Sequence, residues 1–103
     1  MRIAFRVRTG AQTRVMAEAD IYFNADTPLH KLRLTGITVW RGENELFVTL
    51  PAKPNGPGAK TKFFDYIRAT DAPGSPEARD ALNAFKGWVL EEYDKAGRPG
   101  YVD

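Results

Sequence analysis

The chain opens on strict alternation: Ile3, Phe5 and Val7 fall on one side of an extended segment, and Arg2, Ala4, Arg6 and Arg8 on the other. A period of two puts successive side chains on opposite faces of a strand, so Arg2 to Arg8 predicts a strand with one basic face. After Thr9-Gly10-Ala11-Gln12, which has turn composition, the alternation resumes with Val15, Ala17, Ala19, Ile21 and Phe23. The two segments predict a β-hairpin. Asn24 to Pro28 is loop chemistry, since Pro28 disfavours helix at the residue before it and Asn24 and Asp26 suit turns. A third strand is expected from near Leu29. Its apolar residues change phase, with Leu32 and Leu34 at even positions and Ile37 and Val39 at odd ones. Keeping them on one buried face requires an extra residue around Thr35-Gly36, which predicts a β-bulge at Gly36. Arg41-Gly42-Glu43-Asn44 then turns the chain into a fourth strand, Glu45 to Leu50, where Leu46, Val48 and Leu50 alternate with Phe47 and Thr49.

Pro51 to Lys60 holds three of the seven prolines and two of the nine glycines, a density that predicts an exposed, mobile loop rather than a regular element. A fifth strand follows from Thr61 to Arg68, and Asp71-Ala72-Pro73-Gly74 ends it. Ser75-Pro76-Glu77 has the order of N-cap, first helical position and acidic first turn, each answering the unpaired amides of a helix start. The helix should run to about Lys95, with Ala78, Leu82, Phe85, Val89 and Tyr93 on one stripe at 3.6-residue spacing, Ala81 and Trp88 flanking it, and the charged residues mostly off it. Gly97 suits a left-handed C-terminal cap, and Pro99-Gly100 forbids continuation. The stripe needs a sheet to lie on. The expected fold class is α+β: an antiparallel sheet of about five strands with one amphipathic C-terminal helix packed on it.

The length of 103 residues suits one core and one domain, residues 1–103, because domains take roughly 100 to 200 residues each. No apolar run approaches the ~18 residues a membrane span needs, and the first residues lack the apolar stretch of a signal peptide, so a cytoplasmic protein is expected. Cysteine is absent and His30 is the single histidine, which removes disulfides, thiolate sites and cysteine nucleophiles and leaves too few ligands for zinc. No metal and no cofactor are expected. The net charge of +2 hides an asymmetry: residues 1–62 carry ten Lys/Arg against five Asp/Glu, while residues 63–103 carry five against eight. The first part is suited to an anionic partner.

Catalytic chemistry finds no constellation. Ser75 is the only serine and its place is explained by capping; His30, beside Lys31 at the start of a strand, has neither acid nor nucleophile spaced to work with it. Glu43 with Glu45, and Glu91 with Glu92, read as solvated charge, and Gly56-Pro57-Gly58 joins two strands rather than opening a helix as phosphate-binding loops do. No enzyme is expected. The fifth strand says more, because Lys62, Phe64, Tyr66 and Arg68 share one face. Interleaved rings and cations suit a single-stranded nucleic acid, with bases on the rings and phosphates on the cations; the other reading places the rings under the helix or a second subunit, with Lys62 and Arg68 at the strand ends. Lys53 and Lys60 flank the Pro/Gly loop and with Lys62 form either a basic clamp on a nucleic-acid backbone or a solubilising loop. Arg2, Arg6 and Arg8 form a second basic stripe, or the guarded solvent face of an edge strand.

The segment Ile37 to Lys53 resembles the centre of the stage V sporulation protein G family, the SpoVG septation regulators. In that family a strand, a Gly/Asn turn and a second strand lead to an ending of the form (L)FV-x-(M/L)-P-(S/A)-K, which Leu46 to Lys53 fits position by position. Arg2 to Arg8 and Val15 to Phe23 are similar to the family's opening hairpin, Phe64-Asp65 to its strand after the loop, and Trp88 to Tyr93 to its terminal helix. The resemblance covers roughly residues 1 to 95. It implies a small bacterial homodimer that binds DNA, and in some members RNA, as a regulator of gene expression, with neither enzyme activity nor metal. It also implies contacts from basic residues between the last strand and the helix and from the helix's early turns, which here are Arg68, Arg79 and Lys86. The chain departs from the pattern where Ala69 to Glu77 is longer, carries Asp71 and Glu77 and lacks a basic cluster. The expectation is therefore a nucleic-acid-binding homodimer with contacts from Lys53, Lys60, Lys62, Arg68, Arg79 and Lys86. The alternative on the same fold is a protein-interaction or assembly module that uses a sheet edge or the exposed aromatics Trp40 and Phe47.

Overall fold

A computed structural model describes residues 1–7, 14–55, 62–65 and 67–101, with 53–55 and 62–65 described by their strand pairing. Arg8, the Thr9 to Gln12 turn, Lys60 and Tyr66 lie outside the described residues. Among the described residues seven elements follow in chain order: β1 (Arg2–Arg6), β2 (Val15–Tyr22), β3 (Arg33–Arg41), β4 (Leu46–Thr49), β5 (Ala52–Asn55), β6 (Lys62–Asp65) and α1 (Pro76–Lys95). The fold is α+β, as the patterning requires. β1 to β4 form an antiparallel sheet in sequence order, which makes the basic N-terminal strand an edge strand.

The strand count departs from the expectation in one place. The predicted fifth strand does not join the sheet; β6 pairs antiparallel with β5 as a separate two-stranded ribbon. β5 lies inside Pro51 to Lys60, the segment expected to be loop throughout. Pro54 sits in it opposite Phe63, and a ribbon tolerates proline because the missing N–H matters only where it would face the partner strand. Both glycines of the segment come after β5, so the turn composition belongs to its second half alone.

The bulge falls where the phase change places it. Ala19 pairs with Ile37 and Ile21 with Leu34, so two steps along β2 match three along β3 and the extra residue lies at Thr35-Gly36. Gly36 has φ +92°, a left-handed conformation that costs a residue with a Cβ about 1–2 kcal/mol. A second irregularity, with Val15 opposite Trp40 and Ala17 opposite Val39, puts an extra residue on β2 at Met16, which the alternation did not signal. β3 begins at Arg33 rather than near Leu29: successive turn bonds from Thr27, His30 and Leu32 to Asn24, Thr27 and Leu29, together with Lys31 at φ 71°, keep the chain coiled until then.

One face of the sheet is the core. Ala17, Ala19, Ile21, Ile37, Val39 and Val48 are buried against Val89 and Tyr93 of α1, each large side chain contributing roughly 1.5–3 kcal/mol. The Tyr93 ring meets Phe5 edge-on at 5.3 Å, and its hydroxyl donates to the Pro99 carbonyl at 2.7 Å. Both helix ends are as the sequence requires. The Ser75 hydroxyl accepts from the Ala78 amide at 3.1 Å, with Pro76 next. At the other end Gly97, φ 85°, donates to Asp94 and Arg98 donates to Tyr93, a Schellman cap. Of the predicted stripe, Ala78, Val89 and Tyr93 are buried, Leu82, Phe85 and Trp88 are partly covered, and Ala81 is exposed.

Candidate nucleic-acid interface

The ribbon brings two of the six predicted basic residues together. Its register sets Lys53 opposite Phe64 and Asn55 opposite Lys62. Directly opposed residues of an antiparallel pair lie on the same face, and so do residues two apart along each strand. Lys53, Lys62 and Phe64 therefore share one side of the ribbon, although nine positions separate the two lysines in sequence. Lys60 belongs to the connection between the strands and lies outside the described residues. Of the expected face of Lys62, Phe64, Tyr66 and Arg68, β6 carries Lys62 and Phe64, Tyr66 lies outside the described residues, and Arg68 is not in a strand.

The other three residues sit on or before the helix. Arg68 is exposed in the connection to α1, and Arg79 is exposed near the helix start. Lys86 follows Arg79 by two turns on the same helix face, roughly 10 Å along the axis. Lys86 is only half exposed, and it makes no hydrogen bond or ion pair among the described residues.

Two residues of the N-terminal basic stripe, Arg2 and Arg6, are engaged by their neighbours. Arg6 donates from Nε and Nη2 to both oxygens of Asp20, at 3.0 and 3.1 Å, and its Nη2 also lies 3.3 Å from Glu18. Those hydrogen bonds, and then the Asp20 charge, push the Arg6 pKa above the ordinary arginine value. Asp20 itself is 2 % exposed, a buried carboxylate that the alternation alone does not reveal. Arg2 lies 4.2 Å over the Tyr22 ring. Arg2 and Arg6 thus hold the sheet's outer face together more than they offer it to an anion, which favours the reading of this stripe as the guarded solvent face of an edge strand.

On that same face, Trp40 of β3 and Phe47 of β4 stand opposite each other with ring planes 4° apart and centroids 6.1 Å apart. The indole N–H donates to the Thr49 hydroxyl at 2.7 Å, and Phe47 is 44 % exposed. Trp40 also borders a groove of about 680 Å³ with Gly36, Thr49, Pro51, Ala52 and Lys86. A second cleft, of about 470 Å³, is bordered by Arg41, Glu43, Glu45, Asp94, Arg98 and Tyr101. Its charges are mixed: Arg98 donates to Asp94 at 2.6 Å, and Arg41 and Arg98 both lie over the Tyr101 ring.

The residues weighed for catalysis are placed apart. Ser75 is occupied at the helix cap, and His30 is exposed in a turn ahead of β3. Among the described residues no group of three or more His, Cys, Asp and Glu could hold a metal ion, and no helix is long and apolar enough to cross a membrane. Comparison of the chain with protein-family models, with curated proteins and with solved structures finds no match.

Proposed function

We propose that this chain is a nucleic-acid-binding regulatory protein of the SpoVG kind, a bacterial cytoplasmic homodimer without catalytic activity of its own. The observation that carries the reading is the ribbon register, which gathers Lys53, Lys62 and Phe64 on one side in a part of the chain rich in positive charge. Cations beside a ring match a nucleic acid's phosphates and bases. The half-exposed Lys86 and the exposed Arg79 extend the positive surface along α1, and Lys60 and Arg68 flank β6 in sequence. DNA is the expected ligand, with RNA as a second substrate.

Fluorescence anisotropy of labelled single-stranded DNA, duplex DNA and RNA tests this reading across ~50 to 200 mM salt, because each phosphate contact contributes about 0.9 to the log–log salt slope. Saturable binding is expected, and charge reversal at Lys53, Lys60 and Lys62 should lower the slope by about one per residue. No binding to any of the three at low salt overturns it. The homodimer is tested separately by light scattering at micromolar concentration, where a monomer mass overturns it. A second reading, a protein-docking module, draws on the exposed Phe47 beside Trp40; apolar docking there would respond little to salt.

A further inference from the structure

The two clefts offer an anion opposite receptions. In the cleft at Tyr101, three carboxylates stand among the cations and Asp94 already occupies Arg98. Among the described residues that line the groove at Trp40, Lys86 is the single ionisable group, and its ammonium has no partner among them. The rest of that wall is mostly apolar. Its volume of about 680 Å³ lies within the roughly 300–1,000 Å³ typical of small-ligand sites. The indole is already set for stacking: its N–H is satisfied by Thr49 and its plane is aligned with Phe47. A ligand that stacks on Trp40 need not order it first.

We infer that this groove holds one unstacked nucleotide of a single strand, with its base against the Trp40 indole and its phosphate on the Lys86 ammonium. The inference rests on the nucleic-acid reading above and adds to it a site and a strand state. A base inside a duplex is paired and stacked on both sides, and extruding it costs a few kcal/mol; a single strand presents it without that cost. Ring stacking is tolerant of base identity, so the site distinguishes single strands from duplexes rather than one sequence from another. The groove opens beside Ala52, where β5 begins, so a strand leaving it lies close to the start of the basic ribbon.

Three probes of one length test the site: a single-stranded DNA, its duplex, and an abasic single strand with the same phosphates. The wild-type chain should bind the single strand more tightly than the duplex. Trp40→Ala should weaken the base-bearing strand about 10- to 100-fold and leave the abasic strand unchanged, Trp40→Phe should restore most of the loss, and Lys86→Gln should weaken both strands. In a Trp88→Phe chain, whose remaining tryptophan is Trp40, emission should be quenched as the base-bearing strand saturates; this holds even if Trp40→Ala fails to fold. Equal affinity for abasic and base-bearing strands, or Trp40 emission unmoved at saturation, overturns the groove while leaving nucleic-acid binding standing. Failure of every probe to bind overturns the function itself, and a groove that then shifts only with apolar peptide has a protein partner instead.

Discussion

The two faces of the four-stranded sheet are built from the same strands and solve different problems. Toward the helix, β2 and β3 present Ala17, Ala19, Ile21, Ile37 and Val39, all at 0–1 % exposure. Away from it, the same strands present Glu18, Asp20, Tyr22, Thr38 and Trp40. There the buried Asp20 is held by Arg6, Tyr22 lies under Arg2, and Trp40 is braced by Phe47 and Thr49. One face is stabilised by removal of apolar area from water. On the other, polar and aromatic groups satisfy one another and leave ring surface over for a partner. On the proposed reading the helix-facing side of the sheet serves stability and the ring surface of the other side serves recognition, so a substitution should disturb one largely without the other.

The sharpest break of that contrast is Tyr93→Ala. Tyr93 is fully buried on the helix face, and truncating a buried aromatic costs about 3–5 kcal/mol, readable as a lowered urea midpoint. Gly36→Ala should come next. A Cβ there needs φ +92° and would stand 3.0 Å from the Pro51 Cβ, so about 1–2 kcal/mol is expected from the backbone alone. Ser75→Ala removes the cap from the Ala78 amide and should cost about 1 kcal/mol. Phe47→Ala, on the far face, should cost less than about 1 kcal/mol, near the value of an aromatic pair. If Phe47→Ala proves as destabilising as Tyr93→Ala, the division of labour between the faces is wrong.

Alkaline pH sharpens the same contrast. Burial, opposed in part by the nearby Arg98 charge, pushes the Tyr93 hydroxyl above the ordinary tyrosine range. The unfolded chain therefore loses this proton at a lower pH than the native one. Its contribution to stability is complete below about pH 10, the unfolded tyrosine value, and is lost as pH rises through the native value. Urea midpoints at pH 8 and pH 10.5 should fall for the wild type and fall less for Tyr93→Phe. An equal fall in both chains would assign the effect to other groups.

Local signals in the sequence carried most of the fold. The phase change from Leu34 to Ile37 located the bulge, and Ser75-Pro76 and Gly97 located both helix ends, because each is decided within a few residues. β5 was hidden because Pro54 and the glycines after it weigh heavily in any window, while its pairing with β6 depends on chain far along the sequence. The Arg6–Asp20 pair and the groove were hidden for the same reason: Gly36, Trp40, Pro51 and Lys86 come from two elements and a connection, and only the folded chain sets them around one space. Lys86 is legible in the sequence as a basic helix residue; its place beside the same groove as Trp40 is not readable from spacing.

The central claim is that nucleic acid binds across the basic ribbon and the groove while the helix face serves only to hold the fold. A titration of isotope-labelled protein with a single-stranded oligonucleotide at low salt, followed by NMR, tests it most directly. The account predicts that the amides of β5 and β6, the Lys86 amide and the Trp40 indole N–H shift together to saturation, while the methyl signals of Ile37, Val39 and Val89 stay in place. Shifts confined to other surfaces, or none at any oligonucleotide concentration, would contradict it.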